Sequence, residues 1–186
     1  MDPIDAQPQT RSPGLRRLVL AFATVGGVGY LPGAPGTVAA ALAVVIFVLF
    51  SPIGAPLLAL TWVALVCLGA WAAEGAEAAL GREDDGRIVI DEVAGQLLAL
   101  VPLLAAGPLR LDAAGTAWLV TGFVLFRGFD IAKPGPVRWA DRRLHGGIGV
   151  MMDDLLAGAL AAAVLGVLLL AARAVGIPVP AAGSGA

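Results

Sequence analysis

The sequence predicts an all-α, polytopic membrane helix bundle of about five spanning helices, with four as the alternative count, and a polar site at the cytoplasmic helix ends. Three observations carry this prediction. Of 186 residues, 59% are apolar and only 14% charged, against about a quarter charged in ordinary soluble domains, and the mean hydropathy is +0.88. The 56 residues between Arg17 and Glu74 hold no charge, and further charge-free runs cover residues 93–109, 113–126 and 155–172. Most of the carboxylates gather at the borders of those runs. A net charge of −2 with no basic tract excludes an electrostatic footprint for nucleic acid. One cysteine, Cys67, excludes an intrachain disulfide framework and any multi-cysteine metal site.

Taken in order, residues 1–12 read as a polar, disordered tail, 13–174 as one membrane-embedded catalytic domain, and 175–186 as a mobile end. Residues 15–22 fit an interfacial helix, a re-entrant piece, or the start of a signal peptide. Against the last, no polar mature domain follows and another apolar helix begins within about fifteen residues. A span needs roughly 20 apolar residues, fewer when flanking side chains snorkel. Five segments qualify: residues 37–50, 56–79, 89–106, 115–129 and 154–173. Turn residues punctuate them: Ser51-Pro52-Ile53-Gly54 before the second, the polar run 81–87 before the third, and Gly107-Pro108 before the fourth. The longest connection is the charged stretch 130–153. On the last helix Gly158, Ala162 and Gly166 form a ladder of small residues suited to close helix packing in lipid.

Basic residues near span ends stay on the cytoplasmic side. With the amino terminus inside, ten of the twelve are cytoplasmic, and only Arg110 and Arg173 fall outside. This threading brings Asp91-Glu92, Asp130, Asp141 and Asp153-Asp154 to one side of the membrane. Acids at helix starts also serve as caps and complement the helix dipole. Capping does not explain a doubled acid at two helix starts, nor Asp130 at a helix carboxyl end. Carboxylates clustered at membrane depth suit a hard cation such as Mg²⁺, which takes oxygen ligands and substrate phosphate together.

Cations complete the arrangement. Arg127 precedes Asp130 by three residues and shares its helix face. Beside Phe126 and Phe129, its guanidinium requires an acidic partner or a phosphate. Lys133, Arg138, Arg142 and Arg143 follow, and the last two serve equally as lipid-headgroup anchors. His145, the only histidine, precedes Gly146-Gly147-Ile148-Gly149, which reads as an anion-binding loop or an ordinary flexible one. Thr37 follows the tight segment Gly33-Ala34-Pro35-Gly36 and stands where phosphate meets a helix amino end, or where a plain N-cap would. No phosphate-binding Gly-rich Lys loop or dinucleotide fingerprint is present. With no nucleophile flanked by an evident base, metal-activated water is the simplest attacking group.

Together these motifs resemble the phosphatidylglycerophosphatase A family. The resemblance rests on Gly29-Tyr30-Leu31-Pro32-Gly33-Ala34-Pro35-Gly36-Thr37, on Asp91-Glu92 with Gly95, and on the run from Phe126-Arg127-Gly128-Phe129-Asp130 through Lys133-Pro134-Gly135-Pro136-Val137-Arg138. It continues through Asp141, His145-Gly146-Gly147-Ile148-Gly149 and Met152-Asp153-Asp154. It implies a Mg²⁺-dependent enzyme of the bacterial cytoplasmic membrane that hydrolyses phosphatidylglycerol phosphate to phosphatidylglycerol and phosphate, in phospholipid biosynthesis. On that reading Asp91, Glu92, Asp130 and Asp154 are catalytic. Glu92, Asp130, Asp153 and Asp154 hold metal, while Thr37, Arg127, Lys133, Arg138 and His145 hold the substrate phosphate. A metal-dependent lipid phosphotransferase would also gather aspartates, but its D-x-x-D-G-x-x-A-R pattern is missing. A small transporter would place its charges at mid-membrane rather than at span ends.

Overall fold

The computed structural model describes residues 12–106 and 109–180, and the expected disordered tail falls almost wholly outside them. Among the described residues the chain is all helical, without strands: α1 (Pro13–Ala23), α2 (Pro35–Phe50), α3 (Ala55–Leu80), α4 (Ile90–Ala99), α5 (Val101–Ala106), α6 (Ala113–Ala132), α7 (Gly135–Arg143) and α8 (Gly146–Ala174). Proline opens several of them, because its missing N–H is unneeded in a first turn: Pro13, Pro35 and Pro136 occupy such positions. Asp112 caps α6, its Oδ1 accepting from the Gly115 N–H at 2.9 Å. α3 ends on Gly81 in the left-handed region (φ 70°), and α6 ends on Lys133 at φ 43° just before Pro134.

Two boundaries differ from the sequence expectation. The third predicted span is two helices, α4 and α5, separated at Leu100; Pro102 cannot donate to the carbonyl four residues back, so the ladder breaks there. The last helix begins at Gly146 rather than near Asp154. Hence Gly147 and Gly149 are helical rather than loop residues, Gly146 enters the helix at φ 67°, and Asp153 and Asp154 lie in the third turn instead of capping a start. The stretch 130–153 also carries a helix of its own, α7.

α8 is the central element. It packs against α3, α4, α5, α6 and α7, while α2 lies on α4 and α1 on α3. α1 is thereby part of the fold: Val19 and Ala23 are buried, and the Ala23 carbonyl accepts from the Val89 N–H at 2.9 Å. At the other end of α8, the Arg173 guanidinium donates to the Ala106 carbonyl and the Trp118 indole to the Pro178 carbonyl. Among the described residues three helical stretches are long and apolar enough to cross a membrane: Pro35–Ile53, Ala55–Leu80 and Gly146–Ala174. Their outward faces carry Val45, Leu49, Leu60, Val63, Leu68, Val167 and Leu170, all exposed. Such a surface suits lipid and would be an aggregation liability in water.

Candidate active site

The site is built where α4 crosses α8, and glycines set how closely they meet. A Cβ added at Gly95 would lie 2.5 Å from the Asp154 carbonyl oxygen and 2.6 Å from the Phe126 ring; one added at Gly158 would lie 2.3 Å from the Gly95 carbonyl oxygen. Only two bare backbones fit there, as in other close helix crossings. The crossing carries Asp91 and Glu92, in the first turn of α4, up to Asp154. α2 completes the wall: a Cβ at Gly36 would come 2.0 Å from Glu92 Oε1, so the glycine makes room for the carboxylate, with Thr37 beside it in the first turn of α2.

One oxygen each from Asp91, Glu92 and Asp154 lie within 4.8 Å of one another. Asp91 Oδ1, Glu92 Oε2 and Asp154 Oδ2 are buried and have no hydrogen-bond partner. Asp154 is buried and Asp91 and Glu92 are half-buried; three acids this close repel one another and have lost part of their water, which is costly unless a cation sits among them. Asp130, near the end of α6, faces both Glu92 and Asp154 closely enough to act on them electrostatically. It also approaches Arg127 Nη1 to 2.5 Å. Nη1 and Nε of Arg127 are nonetheless buried without a hydrogen bond. Such a guanidinium retains donors for a second anion.

The remaining predicted residues are placed differently. Lys133 Nζ donates to Asp141 and, at 2.7 Å, to Asp153. Burial works against its charge, but the two carboxylates prevail and hold the ammonium above its ordinary pKa. Asp153 therefore faces Lys133, one residue away from the Asp91–Glu92–Asp154 group. Thr37 is the third residue of α2, whose N-cap position is Ala34, so Thr37 is not the cap. Arg138 and His145 are exposed; His145 stands at the start of α8 and makes no capping bond with its side chain. It lines a small cavity with Glu77, Asp84, Asp141 and Asp153.

Three polar residues that sequence reasoning passed over belong to this end of the bundle. Gln96 is fully buried, and neither atom of its amide has a partner; its spacing of four from Glu92 was the available signal. Glu74 Oε2 accepts from the Gly147 N–H at 2.6 Å, and Glu77 Oε1 from the Asp84 N–H at 2.7 Å. These bonds tie α3 to α8 and to the α3–α4 loop. In that loop the Arg87 guanidinium grips Asp85 at 2.6 Å and holds its carboxyl down at about 2.

Residues 21–169 match the family described as Phosphatidylglycerophosphatase A. The chain is 34% identical over 139 residues to "Phosphatidylglycerophosphatase A" of Escherichia coli (strain K12), covering 75% of this chain and 76% of that protein. It is 34% identical over 140 residues to the protein of the same name from Haemophilus influenzae, covering 75% and 81%. It is 43% identical over 139 residues, covering 71% and 81%, to a Bacteroides thetaiotaomicron protein that bears the provisional name phosphatidylinositol-3-phosphatase. No solved structure matches the chain.

Proposed function

The chain belongs to the phosphatidylglycerophosphatase A family, and from that premise we propose that it hydrolyses phosphatidylglycerol phosphate to phosphatidylglycerol and inorganic phosphate, with Mg²⁺ held by Asp91, Glu92 and Asp154. The observation that carries the proposal is a set of three carboxylates with one oxygen each within 4.8 Å, each of which also has a buried oxygen without a hydrogen-bond partner, beside an Arg127 whose Nε and Nη1 make no hydrogen bond. All-oxygen donors of this kind fit a hard divalent ion. When bound, the ion supplies charge neutralisation at the phosphate and acidifies a water.

The chain's own residues do the rest. Arg127 neutralises the phosphate oxygens as charge builds on them, a task suited to a planar, permanently charged donor. Asp130 orients Arg127 and stands beside Asp154, in place to accept the proton of the attacking water. The bond formed joins the water oxygen to phosphorus and the bond broken joins phosphorus to the headgroup oxygen, which leaves as the new hydroxyl with a proton from solvent as Asp130 releases the one it accepted. Lys133, clasped by Asp141 and Asp153, fixes α6, α7 and α8 relative to one another. Thr37, Arg138 and His145 contact the phosphate or the neighbouring headgroup from the rim.

In this reading α2, α3, α4 with α5, α6 and α8 are five spans, and every site residue lies at their cytoplasmic ends. The protein then resides in the bacterial cytoplasmic membrane and serves phospholipid biosynthesis. The Bacteroides relative's name favours a second substrate reading, a phosphoinositide monoester on the same site. The test is phosphate release by purified protein in detergent from phosphatidylglycerol phosphate, phosphatidylinositol 3-phosphate and phosphatidic acid, with Mg²⁺ and with chelator. Mg²⁺-dependent release that favours phosphatidylglycerol phosphate is expected. Preference for the phosphoinositide selects the second reading, and release that persists in chelator removes the metal.

A further inference from the structure

The amide of Gln96 is the one fully buried polar side chain at this end of α4 that the proposed mechanism leaves unused. Its exposure is 0%, and both Nε2 and Oε1 are without partners. An amide buried in this way forfeits the hydrogen bonds it made to water, so its position calls for a ligand. Residues 92, 96 and 99 follow the spacing of one helical face. Ala99 on that face is packed with Ala40, Phe126, Ala157 and Ala161, all fully buried. Gln96 therefore lies between the acid cluster above and a sealed apolar floor below.

The chemistry of the missing partner follows from the two orphan atoms. A phosphate oxygen would satisfy only the amide nitrogen, and a cation only the amide oxygen. A hydroxyl both donates and accepts, and satisfies both. Gln96 stands one turn of helix, about 6 Å of rise, below Glu92. From a phosphorus bound at the acids, a hydroxyl on the next carbon is four bonds away, a zigzag that spans up to about 5 Å, and the Gln96 Cα–Cβ bond tilts back toward the amino end of α4 and so toward the acids.

Building on the activity proposed above, we propose that Gln96 is a specificity residue that hydrogen-bonds a free hydroxyl on the carbon next to the phosphorylated one. The site thereby selects lipid phosphomonoesters with such a neighbouring hydroxyl. Both phosphorylated glycerol and inositol 3-phosphate headgroups have one; phosphatidic acid, whose neighbouring oxygen is acylated, does not.

The experiment compares kcat/KM for phosphatidylglycerol phosphate and for the analogue in which hydrogen replaces the headgroup glycerol hydroxyl, using wild type and Gln96→Met. Wild type should favour the hydroxylated lipid by about 10–100-fold, the cost of leaving a buried amide unpaired. Gln96→Met should lose the preference by losing activity on the hydroxylated lipid alone. Should Gln96→Met not fold, Gln96→Asn keeps the amide but withdraws it by one methylene, and should show a smaller preference. Equal use of the two lipids by wild type, an undiminished preference in the variants, or an equal loss on both lipids overturns the assignment. No release by wild type from either lipid overturns the proposed activity itself, and this assignment with it.

Discussion

Replacing Gly95 by alanine tests how the site is positioned without touching any of its polar groups. In the middle of an exposed helix such a change is stabilising by up to about 1 kcal/mol. At Gly95 the new methyl would meet the Asp154 carbonyl oxygen at 2.5 Å, where ordinary contact begins at 3.4 Å, so α4 and α8 must part by about 1 Å. Backbone lines the far side of the contact and cannot rotate away. Overpacking of this size costs about 1–3 kcal/mol, and a 1 Å displacement of reacting groups costs about 100-fold in turnover. Gly158→Ala, aimed at the Gly95 carbonyl, should do the same. Gly166→Ala on the same α8, with nothing within 4 Å of the added methyl, should leave both properties unchanged or raise stability slightly. Thermal melting in detergent, together with kcat for phosphate release, reads both effects. Wild-type melting and turnover in Gly95→Ala would refute the argument that this crossing places Asp154 against Asp91 and Glu92.

Other consequences follow from the charges. Asp154→Asn should lower kcat by at least about 100-fold while melting no lower than wild type in chelator, because it relieves repulsion among buried acids; a matched loss of melting temperature and activity would contradict this. Added Mg²⁺ should raise the melting temperature of wild type, since a ligand stabilises the state that binds it, and should do so far less in Asp154→Asn. Lys133→Met leaves Asp141 and Asp153 without their shared cation and should lower both melting temperature and kcat, whereas an unchanged protein would show the pairing to be incidental. Asp85 has a folded pKa of about 2, below its ordinary 3.8, so its pairing with Arg87 stabilises fully above about pH 4 and is lost as pH falls through 2. Asp85→Asn should therefore be destabilised near neutrality, with the gap to wild type closing toward pH 2, as melting curves across that range will show.

Much of the architecture is legible in the sequence because the bilayer demands it. Charge-free runs mark α2, α3, α6 and α8, and each acid of the cluster stands at or near a run's border. What fails is local. The break at Leu100 was written in Pro102, but an apolar run of the right length concealed it. Gly146, Gly147 and Gly149 read as loop residues, yet Gly147 lies in the first turn of α8, where a Cβ would lie 1.9 Å from the Ala70 carbonyl oxygen. That glycine serves packing, which composition cannot separate from flexibility. Adjacent acids also cannot be assigned from sequence: Asp153 and Asp154 point to different partners, Lys133 for one and the acid cluster for the other, because neighbours on a helix differ by about 100°. Gln96 was hidden for the opposite reason, a lone amide inside an apolar stretch.

The proposed activity depends on Asp91, Glu92 and Asp154 forming one cation site. Its most direct test is a Mn²⁺ titration of the detergent-purified protein followed by electron paramagnetic resonance, with Mg²⁺ as competitor, for wild type and for Glu92→Gln and Asp154→Asn. Wild type should take up Mn²⁺ that Mg²⁺ displaces, with affinity at least about tenfold weaker in each variant. Equal Mn²⁺ binding by all three proteins, or none by folded wild type, would contradict it.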